Sequence, residues 1–151
     1  MENWPQIAID TRNDRGYKMC FGCGKDNPIG LKLKFKWDGK EARAEFTPGE
    51  NHQGWPGYVH GGILLCLLDE AFGYAAMYGG TNNVTARIQV RLRRMVLIGE
   101  PLVITCSIAK RNKRLIETEA RVSLTDGTII AEGTSTQFVI SLREDKSKSN
   151  A

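Results

Sequence analysis

Residues 60–78, HGGILLCLLDEAFGYAAMY, limit what this chain can fold into more than any other stretch. The pattern is helical, and the glycines at 79 and 80 supply a stop. Leu64, Leu65, Leu67, Leu68, Phe72 and Met77 point to different sides of its axis, which leaves almost no polar face for water. A helix of this kind has to be covered on most sides.

The rest of the chain supplies the cover as strands. Leu31, Leu33, Phe35 and Trp37 alternate with three lysines, the period of a strand with one buried face. Asp38-Gly39 turns the chain, and EARAEFT alternates again with Ala42, Ala44 and Phe46 inward, so the two runs form a hairpin. Residues 47–57 read as a Pro/Gly-rich loop, and further strands are expected at 84–96, 102–110, 115–124 and 128–140. KRNKR (110–114) and Asp126-Gly127 mark the turns between the last three. The order ββαββββ predicts an α+β fold, an antiparallel sheet wrapped around one central helix. With 151 residues the chain suits one domain. It is expected to divide into an N-terminal arm (1–30), the α+β domain (31–142) and a charged, disordered tail (143–151).

Composition excludes several functions. The net charge of +4, from 21 basic and 17 acidic residues, carries no nucleic-acid footprint, and no apolar run approaches the ~20 residues of a membrane span. MENWPQIAID lacks the basic start and apolar core of a secretory signal, so the expected compartment is the cytoplasm, with the cysteines reduced. Cys20-x-x-Cys23 is half of a metal or redox motif without a second pair, and Cys66 and Cys106 fall on buried elements. All four are read as structural, with no metal and no cofactor expected. RIQVRLRR (87–94) and KRNKR concentrate positive charge, which suits either a phosphorylated ligand or a solvated strand face and hairpin tip.

Chemistry points to the helix. Gly61 and Gly62 place unpaired N–H groups at its N-terminus, where they can hold a phosphate or the oxyanion of an acyl-transfer intermediate; tight packing at a turn would also ask for glycine. Asp69 and Glu70 follow six apolar or Cys residues, so one of them, desolvated, is a candidate base or nucleophile, the other a surface neighbour. Gly61 and Asp69 are separated by ~12 Å along the helix, at 1.5 Å per residue. Donor and carboxylate must both reach one reacting group, so two antiparallel helices from two subunits are needed, which predicts an obligate homodimer.

HQGWPGYVHGG leading to LLDEA, with the later VTARIQVRLRR, resembles the hotdog-fold acyl-CoA thioesterases, in particular their phenylacetate-pathway-like branch. The likeness covers about residues 18–140 and is most specific over 52–94; CFGCGKDNPIGLKLKF also looks like the lead-in of family members. The resemblance implies an acyl-CoA substrate, a homodimer or a tetramer built from dimers, and no cofactor. It assigns Gly61 as the oxyanion donor, Asp69 rather than Glu70 as nucleophile or general base, and Thr85 as the hydroxyl that orients Asp69 or the water. His60 either braces the glycine turn or contacts the thioester. Some members carry an asparagine where this chain has Gly54, which leaves His52 and Gln53 as candidates for placing the water, or as loop residues satisfied by backbone groups. Gly62 joins the expected substrate contacts, and Arg91, Arg93 and Arg94 are set against the coenzyme A phosphates. Strict alternation puts Thr85 on the face of Arg87, Gln89 and Arg91, so its role needs a bulge or a partner helix. The alternatives are a non-catalytic acyl-CoA-binding domain and an enoyl-CoA hydratase or dehydratase, whose catalytic histidine fits the HGG-to-Asp69 arrangement less well.

Overall fold

The computed structural model describes residues 17–143, so most of the N-terminal arm and of the charged tail lie outside the described residues. The chain divides into two compact units between Lys32 and Leu33, where the sequence placed the division after residue 30. The described part of the first unit is a set of turns. Asn27 ties it, its Nδ2 donating to Met19 O and its Oδ1 accepting from Ile29 N–H.

The second unit holds six strands and one long helix: β1 (Lys36–Trp37), β2 (Glu41–Phe46), α1 (Gly61–Tyr78), β3 (Thr81–Leu92), β4 (Leu102–Arg111), β5 (Leu115–Leu124) and β6 (Ile129–Leu142). The strands form one antiparallel sheet in the order β1-β2-β4-β5-β6-β3, packed on the helix. This is the expected α+β architecture. The inner face carries small residues, among them Ala42, Ala44, Ala120 and Ala131, where the helix presents Leu64, Leu67, Leu68 and Phe72, all buried. Large knobs against small holes let helix and sheet approach closely. Each fully buried Leu or Phe contributes about 1.5–3 kcal/mol.

Two strands differ from expectation by three residues or more at an end. Leu31, Leu33 and Phe35 alternate in burial as expected, but only Lys36 and Trp37 pair with β2, and Lys32 has a φ of 53°, outside extended backbone. β3 starts three residues early and ends four early. Thr81 belongs to it because its hydroxyl, fully buried, donates to Ala76 O at 2.8 Å. At the other end the N–H groups of Arg93 and Arg94 both turn to Ile130 O, which closes the ladder. Cys106 is buried, and that burial pushes its thiol up to about 12, in keeping with a structural role. Among the described residues no helix is long and apolar enough to cross a membrane.

Candidate active site

The helix start is built by a loop that folds back on itself. Gly54 N–H donates to Tyr58 O and His60 N–H to His52 O, both at 2.8 Å, while Val59 N–H reaches Val96 O. His60 is the N-cap in extended conformation (φ −63°, ψ 135°), and its Nδ1 accepts from Gly62 N–H at 2.8 Å. His60 O accepts from Ile63 N–H. The cap therefore uses the second and third amides of the helix. Among the described residues nothing accepts from Gly61 N–H, which stands at the positive end of an 18-residue helix.

That amide borders a cleft of about 470 Å³ lined by Gln53, Gly54, Trp55, Pro56, Val59, His60 and Gly61. Trp55 is 77% exposed, an apolar ring offered to the cleft's surroundings. Gly54 is a glycine for a local reason: a Cβ there would lie 3.0 Å from His60 Cα, so an asparagine at this position would push on the cap. His52 and Gln53 each accept one backbone hydrogen bond, His52 Nδ1 from Gly49 N–H at 2.9 Å and Gln53 Oε1 from Gly57 N–H at 2.8 Å. Only Gln53 of the two lines the cleft. Gly62, expected to meet the substrate, has its N–H committed to His60 Nδ1.

The carboxylates sit two turns along, in the opposite order of exposure to the expected one. Asp69 is exposed and Glu70 half-buried. Thr85 Oγ1 donates to Asp69 Oδ1 at 2.9 Å. The contact exists because β3 slips its register: Thr85 pairs with Gln137 and Arg87 with Thr136, so Ala86 has no partner. This bulge lets Thr85 face the helix while Arg87 stays exposed, and strict alternation fails at that one residue.

Sequence reasoning missed Gln137. It is fully buried beneath Thr85, with Nε2 3.1 Å from Thr85 Oγ1 and 2.8 Å from Ser135 Oγ. Its signal was a glutamine on the inward phase of a strand.

The arginines separate. Arg93 is held by Glu132, to which its Nε and Nη2 both donate, and the guanidinium holds the Glu132 carboxyl below its usual range. Arg91 and Arg94 are exposed.

Residues 56–131, half of the chain, match the thioesterase superfamily. A solved thioesterase superfamily protein is 29% identical with a TM-score of 0.76, over 91% of this chain and 70% of that one. The Escherichia coli PaaI protein from the phenylacetic acid degradation operon is 20% identical with a TM-score of 0.71, over 87% of this chain and 88% of that one. A hypothetical thioesterase from Streptococcus pneumoniae TIGR4, solved with coenzyme A, is 18% identical with a TM-score of 0.70, over 74% and 91%. The wrapped sheet and single helix are the hotdog fold. The mouse acyl-coenzyme A thioesterase THEM5 is 28% identical over 71 residues, which is 47% of this chain and 29% of that protein. The chain thus spans less than a third of that relative's length.

Proposed function

Because the chain belongs to the thioesterase superfamily, we propose that it hydrolyses an acyl-CoA to the free acid and coenzyme A, in a site assembled from two subunits. The observation that carries the reading is one helix with an unpaired Gly61 N–H at its start and a carboxylate, Asp69, held by Thr85 on its third turn. Support for the substrate comes from the acyl-coenzyme A thioesterase it is similar to and from the fold shared with a thioesterase solved with coenzyme A.

The chemistry follows from the parts. The thioester oxygen accepts from Gly61 N–H, and the helix dipole favours the negative charge that grows there as the carbonyl carbon becomes tetrahedral. Asp69 of the facing subunit either attacks that carbon or takes a proton from the attacking water. The C–S bond then breaks and coenzyme A leaves as a thiolate, which takes a proton from the protonated Asp69 or from water; where Asp69 itself attacked, water then hydrolyses the acyl–aspartyl anhydride to the free acid and restores the carboxylate. Gly61 and Asp69 cannot share one thioester within a chain, being ~12 Å apart along the helix axis. Antiparallel helices in a twofold dimer bring the start of each helix to the carboxylate of the other and give two sites. Arg91 and Arg94, both exposed, are the guanidinium candidates for the phosphates of coenzyme A, since Arg93 is bonded to Glu132.

The test is turnover of acyl-CoAs varied in chain length and aromatic character, for the wild type and Asp69→Ala. Loss of hydrolysis in the folded variant is expected. Hydrolysis at the wild-type rate would remove Asp69 from the reaction, and binding without turnover by the wild type would make the protein an acyl-CoA binder.

A further inference from the structure

Buried polar side chains form a line across the sheet. The ladders set Thr118 on β5 opposite Ser135 on β6, and Gln137 on β6 opposite Thr85 on β3. Thr118 and Gln137 are fully buried and Ser135 nearly so. Among the described residues the one other buried polar side chain is Thr81, whose hydroxyl is taken by Ala76 O. Hydrogen bonds join the line without a gap. Thr118 Oγ1 lies 2.6 Å from Ser135 Oγ, Gln137 Nε2 donates to Ser135 Oγ and Thr85 Oγ1, and Thr85 donates to Asp69 Oδ1.

A satisfied polar line stabilises a core little more than apolar side chains of the same shape would. Packing therefore gives no reason for it. Its direction does: it runs from the interior of the sheet to the exposed carboxylate of Asp69 and ends there.

We propose that Gln137 is a positioning residue for Asp69, acting through the Thr85 hydroxyl; the inference rests on Asp69 being the hydrolytic carboxylate. An amide nitrogen can only donate, so Gln137 Nε2 occupies a lone pair of Thr85 Oγ1 and leaves the hydroxyl proton to be given away. Two acceptors compete for that proton, Asp69 Oδ1 at 2.9 Å and Gln137 Oε1 at 3.2 Å. The carboxylate oxygen is the nearer and stronger acceptor, so the hydroxyl donates its hydrogen bond there. Ser135, bonded to the same Nε2, keeps the amide from turning away. Among the described residues Asp69 is thereby tethered by Oδ1 alone, and Oδ2 is left to attack or to accept a proton from water. Without Gln137 the Thr85 hydroxyl rotates freely and Asp69 loses its fixed rotamer.

The experiment compares Gln137→Met, which keeps length and volume, and Gln137→Asn, which keeps an amide but withdraws it from Thr85. Both are assayed as the full chain on an acyl-CoA the wild type hydrolyses. kcat should fall roughly tenfold, the rate equivalent of one hydrogen bond. KM should stay within about twofold, because Gln137 does not touch substrate. In a Thr85→Val background Gln137→Met should change kcat no further. An unchanged kcat in either folded variant overturns the proposal, and so does an equal loss in both backgrounds, which marks a general core effect. Asp69→Ala keeps the two readings apart. If it retains activity, the hydrolytic role of Asp69 fails; if it is inactive while Gln137→Met is fully active, only the role of Gln137 fails.

Discussion

Gly61→Pro is the sharpest single perturbation of the helix start, because it deletes one hydrogen-bond donor and little else. Proline is tolerated at the first helical position, where the N–H has no intrahelical partner, and it asks the preceding residue to be extended. Both conditions hold: Gly61 follows the N-cap, and His60 has φ −63° and ψ 135°. Gly61 is not among the glycines with positive φ, and its neighbour in that direction is the flexible Leu92, 3.3 Å from an added Cβ. A compatible proline stiffens the unfolded chain, so the fold should gain about 0.4–1 kcal/mol or stay level. Activity should move far more. Loss of one oxyanion donor costs about 10²–10³ in kcat, or roughly 2.7–4 kcal/mol of transition-state stabilisation. Gly61→Ala keeps the N–H and serves as the control, with a far smaller loss. The assay is steady-state hydrolysis of an acyl-CoA beside a thermal melt. A Gly61→Pro variant that melts like the wild type and hydrolyses like it would refute the role of this amide.

Other perturbations test the scaffold. His60→Ala should cost about 1 kcal/mol of stability through loss of the cap on Gly62, and His60→Asn should restore most of it; equal melting temperatures for Ala and the wild type would show the cap to be idle. Gly133→Ala places a Cβ 2.6 Å from Gln89 O across the β3–β6 pair, so it should destabilise by about 1–3 kcal/mol, and an unchanged melt would contradict that close approach. Asp38 Oδ1 accepts from Glu41 and Lys40 N–H, which holds its carboxyl below its ordinary value of 3.8. The folded carboxyl is thus the stronger acid, so its stabilisation is present above that value and lost as pH falls through the lower folded one. Asp38→Ala should lower the melting temperature at pH 7, with the gap to the wild type closing as the pH falls through the lowered folded value; a gap that persists in strong acid would place the effect elsewhere.

The helix was legible to within a residue because its signals are local: a cap, two stopping glycines and an apolar run with no wet face. The Asp-Gly turns gave the hairpins for the same reason. Thr85 was placed beside Asp69 by resemblance, while period-two reading turned it outward, since a bulge such as that at Ala86 is set by pairing with β6 and leaves no mark in β3 itself. Thr81-Asn82-Asn83 fell outside the expected strand and proved to be its first three residues. Thr81 and Asn83 find acceptors in Ala76 O and Gly73 O of the helix, a tertiary match that propensity does not carry. The exposure of Asp69 and Glu70 was reversed because it depends on tertiary packing that neither residue's local sequence carries. Gln137 went unread because its partner lies 52 residues away.

The central claim is that each site draws Gly61 from one subunit and Asp69 from the other. Mixing tests it directly: Gly61→Pro and Asp69→Ala chains, each inactive alone, are unfolded and refolded together. Random pairing makes half of the dimers mixed, and each mixed dimer holds one intact site of two, so activity should recover to about a quarter of the wild type. Recovery to that level is the expected result. No recovery, with mixed dimers formed, would contradict the two-chain site and return the chemistry to a single subunit.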